Sequence, residues 1–145
     1  MTTTTAETSA AGPTVTGAHP RLTVTGGMRA IAFYREVFGA ELIAEPVIQA
    51  DGRVGHAELR IGGLTVGLAD PYPEMGFPSP TALGGTPIGI SIEVASPAEV
   101  DQLFDRAVAA GAAGMRPPED QFHGRRAGTV IDPFGHRWNI SAPLG

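Results

Sequence analysis

The chain has 145 residues, enough for one domain or two very small ones. Ten basic residues against fifteen acidic give a net charge of −5, a poor basis for holding nucleic acid or an anionic membrane. There is no cysteine, which excludes disulfides, thiol nucleophiles and thiolate metal sites, and all ten basic residues are arginine, so lysine-dependent Schiff-base, pyridoxal-phosphate and phosphate-loop chemistry is excluded too.

No apolar run of about 18 residues exists, so no membrane span is expected. Residues 1–17, MTTTTAETSAAGPTVTG, carry neither a basic nor an apolar signal region and read as a flexible tail, with the cytoplasm as the expected location. The alternation in HPRLTVT (19–25) predicts a strand, with Leu22 and Val24 on one face and His19, Arg21 and Thr23 on the other. Apolar residues then recur at three and four from Ala30 to Phe38, predicting a helix closed by Gly39. ELIAEPVIQA (41–50) reads as a strand at an edge or bulge because of Pro46, and Asp51-Gly52 as a hairpin turn.

VGHAELRIG sets Ala57, Leu59 and Ile61 against His56, Glu58 and Arg60, and after Gly62-Gly63 the segment LTVGLAD supplies another strand. PYPEMGFPSPTALGGT (71–86) reads as a linker or lid without regular structure, in which Tyr72, Met75 and Phe77 would line a pocket or a dimer contact. PIGISIEVA (87–95) predicts a strand with Ile88, Ile90, Ile92 and Val94 inward. Ser96-Pro97-Ala98-Glu99 is a capping box opening a helix that ends at Gly111. AGMRPPEDQFHG reads as strand or loop, RRAGTVI as strand, Asp132-Pro133-Phe134-Gly135 as a turn leaving His136 exposed, and HRWNISA as a last strand with Trp138 in the core.

Each half is therefore βαβββ, an internal duplication in pattern rather than identity. The expected organisation is a tail at 1–17, a first module at 18–72, a linker at 73–86 and a second module at 87–145. The fold class is α+β, with one helix covering one face of each sheet. The opposite faces carry polar residues and glycines, so the two curved sheets are expected to share a polar cavity.

The segments LTVTGGMRAIAFYREVFGAEL, DGRVGHAELRIGG and RPPEDQFHGRRAGTVIDPFGHRWNIS resemble the vicinal oxygen chelate superfamily (glyoxalase, bleomycin resistance and extradiol dioxygenase), in particular its small PhnB-like, glyoxalase-like members, over about residues 19–143. The resemblance implies a homodimer whose cavity is shared between modules, often from different subunits. It also implies a divalent metal held by four side chains, one each on the first and last strands of both modules. Carried over residue by residue, those positions are His19, Gly67, Gly89 and Asn139. One imidazole of the four is retained, and a cation needs about three or four protein ligands, so no metal cofactor is expected.

Candidate site residues follow. His56, Glu58 and Arg60 share a strand face; Arg60 could hold an anion while His56 or Glu58 moves a proton, or all three could form an ion-pair ladder. His19, His56 and Glu58 compose an alternative metal set. Arg21 could clamp an acidic group or pair with Glu93. Phe122, His123, Arg125 and Arg126 are read as a loop before a strand, a binding lid or a solvated turn, and Asn139 as a ligand contact. The expected function is binding of a small organic molecule, by sequestration or metal-free acid–base catalysis. The alternative is a divalent-metal-dependent lyase, isomerase or dioxygenase.

Overall fold

The computed structural model describes residues 12–145. Residues 12–20 form neither helix nor strand and 12–19 are exposed; the remainder of the expected tail lies outside the described residues. The architecture is α+β, in two sheets. The first half comprises β1 (Arg21–Thr23), α1 (Gly27–Phe38), β2 (Glu41–Leu42), β3 (Val47–Ile48), β4 (Val54–Ile61) and β5 (Leu64–Ala69). Its sheet runs β1-β5-β4-β2, with β3 also on β4, and β1 is parallel to β5. A 3₁₀ turn at Pro73–Met75 and the one-turn α2 (Pro80–Leu83) follow. The second half comprises β6 (Gly89–Glu93), α3 (Pro97–Ala109), β7 (Ala113–Asp120), β8 (Arg125–Ile131) and β9 (Arg137–Pro143), ordered β6-β9-β8-β7 with β6 parallel to β9.

Period-two alternation decides which face of each sheet is covered. Leu22, Val24, Ala57, Leu59, Ile61, Val66 and Leu68 are buried against the apolar stripe of α1 (Ala30, Ile31, Tyr34, Val37). In the second half Val130, Trp138, Ile140 and Ala142 lie beneath Val100 and Ala107 of α3. Trp138 is in the core as the alternation requires. Ser96 caps α3, its hydroxyl accepting from Glu99 N–H and donating to the Glu99 carboxylate.

Five local expectations need correction. Pro46 splits 41–50 into two strand fragments, because a residue without N–H interrupts the ladder on β4. Residues 71–86 are not structureless: they contain the 3₁₀ turn and α2, whose cap Ser79 accepts from Ala82 N–H. Ile88 is 72% exposed and lies before β6 rather than facing inward. Arg125 and Arg126 open β8 rather than lying in a loop. His136 is half-buried, its Nε2 donating to the Thr23 carbonyl at 2.8 Å.

That last bond belongs to the joint between the halves. Asp132, 3% exposed, accepts from Phe134 N–H, His136 N–H, Trp138 Nε1–H and the Tyr34 hydroxyl. Arg106 of α3 adds a bond to the Val37 carbonyl of α1, and Arg29 lies over the Phe134 ring. Burial, then the nearby Asp132 charge and its hydrogen bond, push the Tyr34 phenol well above its usual range. Tyr34→Phe is expected to cost about 1–3 kcal/mol at neutral pH by removing one donor from a buried carboxylate. Since the folded pKa is raised, this stabilisation is complete below the unfolded tyrosine value of about 10 and declines as pH climbs beyond it. Urea unfolding of both proteins between pH 7 and 11 should show their stability gap narrowing at the alkaline end; a constant gap would contradict this account.

Candidate functional site

The faces turned away from the helices carry the polar residues. In the first sheet the register places Arg21, Gly67 and Glu58 in one row across β1, β5 and β4, with neighbouring strands about 4.8 Å apart. A Cβ on Gly67 would stand 3.7 Å from both His19 Cδ2 and Arg21 Cγ, so His19 and Arg21 flank that bare position on the same face. His56 Nε2 and Glu58 Oε2 are 2.9 Å apart, with side chains 47% and 38% exposed. Arg60 meets Glu41 at 3.3 Å across β2 and β4. Arg21 lies over the Phe77 ring, 5.3 Å from its centroid. Glu93, the carboxylate considered for Arg21, meets Arg125 instead at 3.4 Å.

In the second sheet Ser91, Asn139, Thr129 and Arg116 form the corresponding row across β6, β9, β8 and β7. The Thr129 hydroxyl donates to Asn139 Oδ1 at 3.0 Å. A hollow of about 200 Å³ opens there, lined among others by Arg116, Gln121, His123, Thr129 and Asn139. Two residues singled out from sequence, His123 and Asn139, thus share one cavity; Arg116, Gln121 and Thr129 were not anticipated, although Thr129 follows from the same alternation that places Trp138.

Phe122 is fully exposed and meets the His123 ring edge-on at 5.3 Å. Arg126 turns to the other side of the sheet, where it pairs with Asp101 of α3 and with Asp120 at 3.0 Å each. These carboxylates raise its pKa and hold it away from the hollow.

The four positions at which a cation would be gripped can be tested against this geometry. His19 stands beside Gly67, and a Cβ on Gly89 would stand 3.1 Å from Asn139 Nδ2. The glycines supply no donor atom, and the Asn139 carbonyl oxygen is occupied by Thr129. Among the described residues no group of three or more His, Asp or Glu side chains could hold an ion, which applies equally to the set His19, His56 and Glu58. These residues do not fit a divalent metal centre.

A larger cavity, about 610 Å³, lies between the halves, where Phe38 of α1 and Ile61 and Leu64 at the β4–β5 turn face Ile92 of β6 and Leu103 and Arg106 of α3. Pattern reading missed it, because it depends on how one half docks on the other.

The sequence pattern of the Glyoxalase/Bleomycin resistance protein/Dioxygenase superfamily matches residues 17–140, and the chain belongs to that superfamily. An uncharacterized protein of Mycobacterium bovis is 44% identical over 128 residues, covering 86% of this chain and 82% of its own. Among solved structures, TioX from Micromonospora sp. ML1 is 29% identical with a TM-score of 0.62, covering 90% of this chain and 98% of its own. A mutant of the fosfomycin resistance protein FosX from Listeria monocytogenes, complexed with Mn(II) and 1S,2S-dihydroxypropylphosphonic acid, is 21% identical with a TM-score of 0.64, covering 88% and 90%. That last likeness is one of fold.

The placement of Gly67 is open to a direct check. Gly67→Ala adds a Cβ at ordinary contact distance, whereas at Gly27 a Cβ would stand 2.6 Å from Val54 and 2.9 Å from Asp70. Gly27→Ala is therefore expected to destabilise by about 1–3 kcal/mol and Gly67→Ala by less than about 1 kcal/mol. Thermal unfolding of the two variants reads the difference; equal losses would mean that Gly67 is packed more tightly than its contacts with His19 and Arg21 imply.

Proposed function

We propose that this protein binds a small organic molecule on the polar faces of its two sheets without a metal ion. The observation that carries the reading is the donor set. Of four positions at which superfamily resemblance places metal ligands, two are glycines and a third presents an amide already hydrogen-bonded. What those faces offer instead is arginine, imidazole, hydroxyl and amide groups around open volume, a composition suited to orienting a polar guest.

The hydrogen-bonded pair His56 and Glu58 gives the site a means of moving a proton, so the guest is either sequestered or turned over by acid–base chemistry. In one chain the two sheets are separate and their polar residues, including Arg21, Ser91 and Glu93, are exposed. A second copy supplying the facing sheet would close the cavity, and a homodimer is part of this proposal.

The test is metal loading. Protein purified without a histidine tag, dialysed against Mn²⁺ or Zn²⁺ and then against metal-free buffer, should retain far less than one ion per chain by elemental analysis. Stoichiometric retention, lost on His19→Ala, would overturn the metal-free reading in favour of a metal-dependent lyase, isomerase or dioxygenase.

A further inference from the structure

The edge strand β7 does not keep a single phase along its length. Gly114 faces α3, since a Cβ there would stand 2.8 Å from the Phe104 ring. Two residues further on, strict alternation would turn Arg116 toward the same helix. Instead the register on β8 slips between Gly114 and Arg116, so that Arg116 pairs with Thr129 on the open polar face, and it slips again between Arg116 and Glu119. Such slips are β-bulges, and each turns the following side chains from one face of a sheet to the other.

The cause lies in the residues that follow. Pro117 and Pro118 have no N–H to give to a ladder. Gly128 on β8 accepts their close approach: a Cβ there would stand 3.1 Å from the Pro118 ring nitrogen and 3.2 Å from the Arg116 carbonyl oxygen. Arg116 is thereby set in the wall of the hollow of about 200 Å³, with Gln121 and His123 from the β7–β8 turn and Asn139 from β9. As a residue Arg116 is exposed, so a guest can reach it. No carboxylate belongs to that wall. The acidic residues of the same face, Glu93 and Glu119, lie in the next row along the strands, where Glu93 meets Arg125.

We propose that Arg116, turned onto the open face by this pair of bulges, is the anchor for a carboxylate group on the guest. Two register slips and the cavity beside it set Arg116 apart from the other arginines of the chain. A planar guanidinium receives a carboxylate edge-on through two parallel N–H bonds, and the His123 ring in the same wall can add a further donor. One guanidinium balances a single negative charge, whereas a doubly charged phosphate would be left undercompensated. The hollow holds the acid group and the first atoms behind it, and the body of the guest lies along the row toward Asn139 and Ser91. This assignment rests on the reading of the polar faces as the ligand-holding surface, and adds the charge and anchoring residue of the guest.

The test uses benzoate as probe, with benzamide as its uncharged counterpart and inorganic phosphate as a doubly charged one, followed by ¹⁵N–¹H NMR of the full chain. Benzoate is expected to shift the Arg116 Nε–Hε signal and the backbone amides of His123 and Thr129 saturably, with benzamide and phosphate at least about tenfold weaker. Arg116→Gln should weaken benzoate by at least about tenfold, and Arg116→Lys, which keeps the charge without the two-bond edge, should fall between. The near-UV signal of Trp138 reports whether each variant is folded; if one is not, the Arg116 signal in the unaltered protein decides.

Benzoate shifts confined to His19 and Arg21 on the first sheet, or unchanged by Arg116→Gln, would overturn the anchor while leaving the metal-free binding reading in place. No saturable shift at Arg116 would also overturn it, and benzamide or phosphate matching benzoate would overturn the carboxylate. Failure of the metal-free reading itself appears separately, as stoichiometric metal in the dialysis experiment.

Discussion

The arrangement of this molecule depends on the carboxylate of Asp132. An isolated ionised carboxylate in a protein interior is strongly unfavourable, and the cost is offset only when its lone pairs are filled. Here Oδ1 accepts from the backbone of Phe134 and His136, which closes the turn, and Oδ2 accepts from Trp138 and Tyr34. The first three donors lie within the second half of the chain; Tyr34 belongs to the helix of the first. The buried charge thus joins the two βαβββ units, while the bonds from His136 to Thr23 and from Arg106 to Val37 fix the rotation about that joint. The orientation of the two polar faces follows from it, and so does the cavity between the halves.

A second buried carboxylate sets the geometry of the first half. Asp70, at the end of β5, accepts from the N–H groups of Gly26 and Gly27 at the start of α1 and of Val54 at the start of β4. A carboxylate at a helix N-terminus satisfies unpaired donors and meets the positive end of the helix dipole. α1 needs this remote cap because Gly26, its own capping residue, has no side chain. In the second half Ser96 caps α3 locally. The two units share a topology but reach it by different contacts, which is why the duplication is visible in pattern and not in identity.

The same contrast explains what could be read from the sequence. Alternation and helical spacing are local, and they located both helices, the covered faces of β4, β5 and β9, and the burial of Trp138. Ile88 and His136 were misplaced because strand ends and turns are fixed by partners distant in sequence, in the case of His136 by a carbonyl 113 positions away. Arg126 was read as part of a loop that could close over a ligand, although a usable signal existed. It is in phase with Gly128 and Val130 and pairs in register with Ala142, all on the covered side of the sheet. The cavity between the halves carries no local signature at all.

The bare positions at 67 and 89 are best understood through charge. A divalent ion held by four side chains concentrates positive charge at one point, and neutral glycines in two of those places remove both the donors and the means of holding that charge. The strands are present, and neighbouring side chains crowd the two bare positions: His19 and Arg21 close around Gly67, and Asn139 and the Arg137 stem approach Gly89. Positive charge on these faces then comes from guanidinium groups, which are fixed to the chain, directional and unable to dissociate. Under the metal-free binding proposed above, such a surface would select a guest by the shape and placement of its polar groups rather than by its ability to chelate.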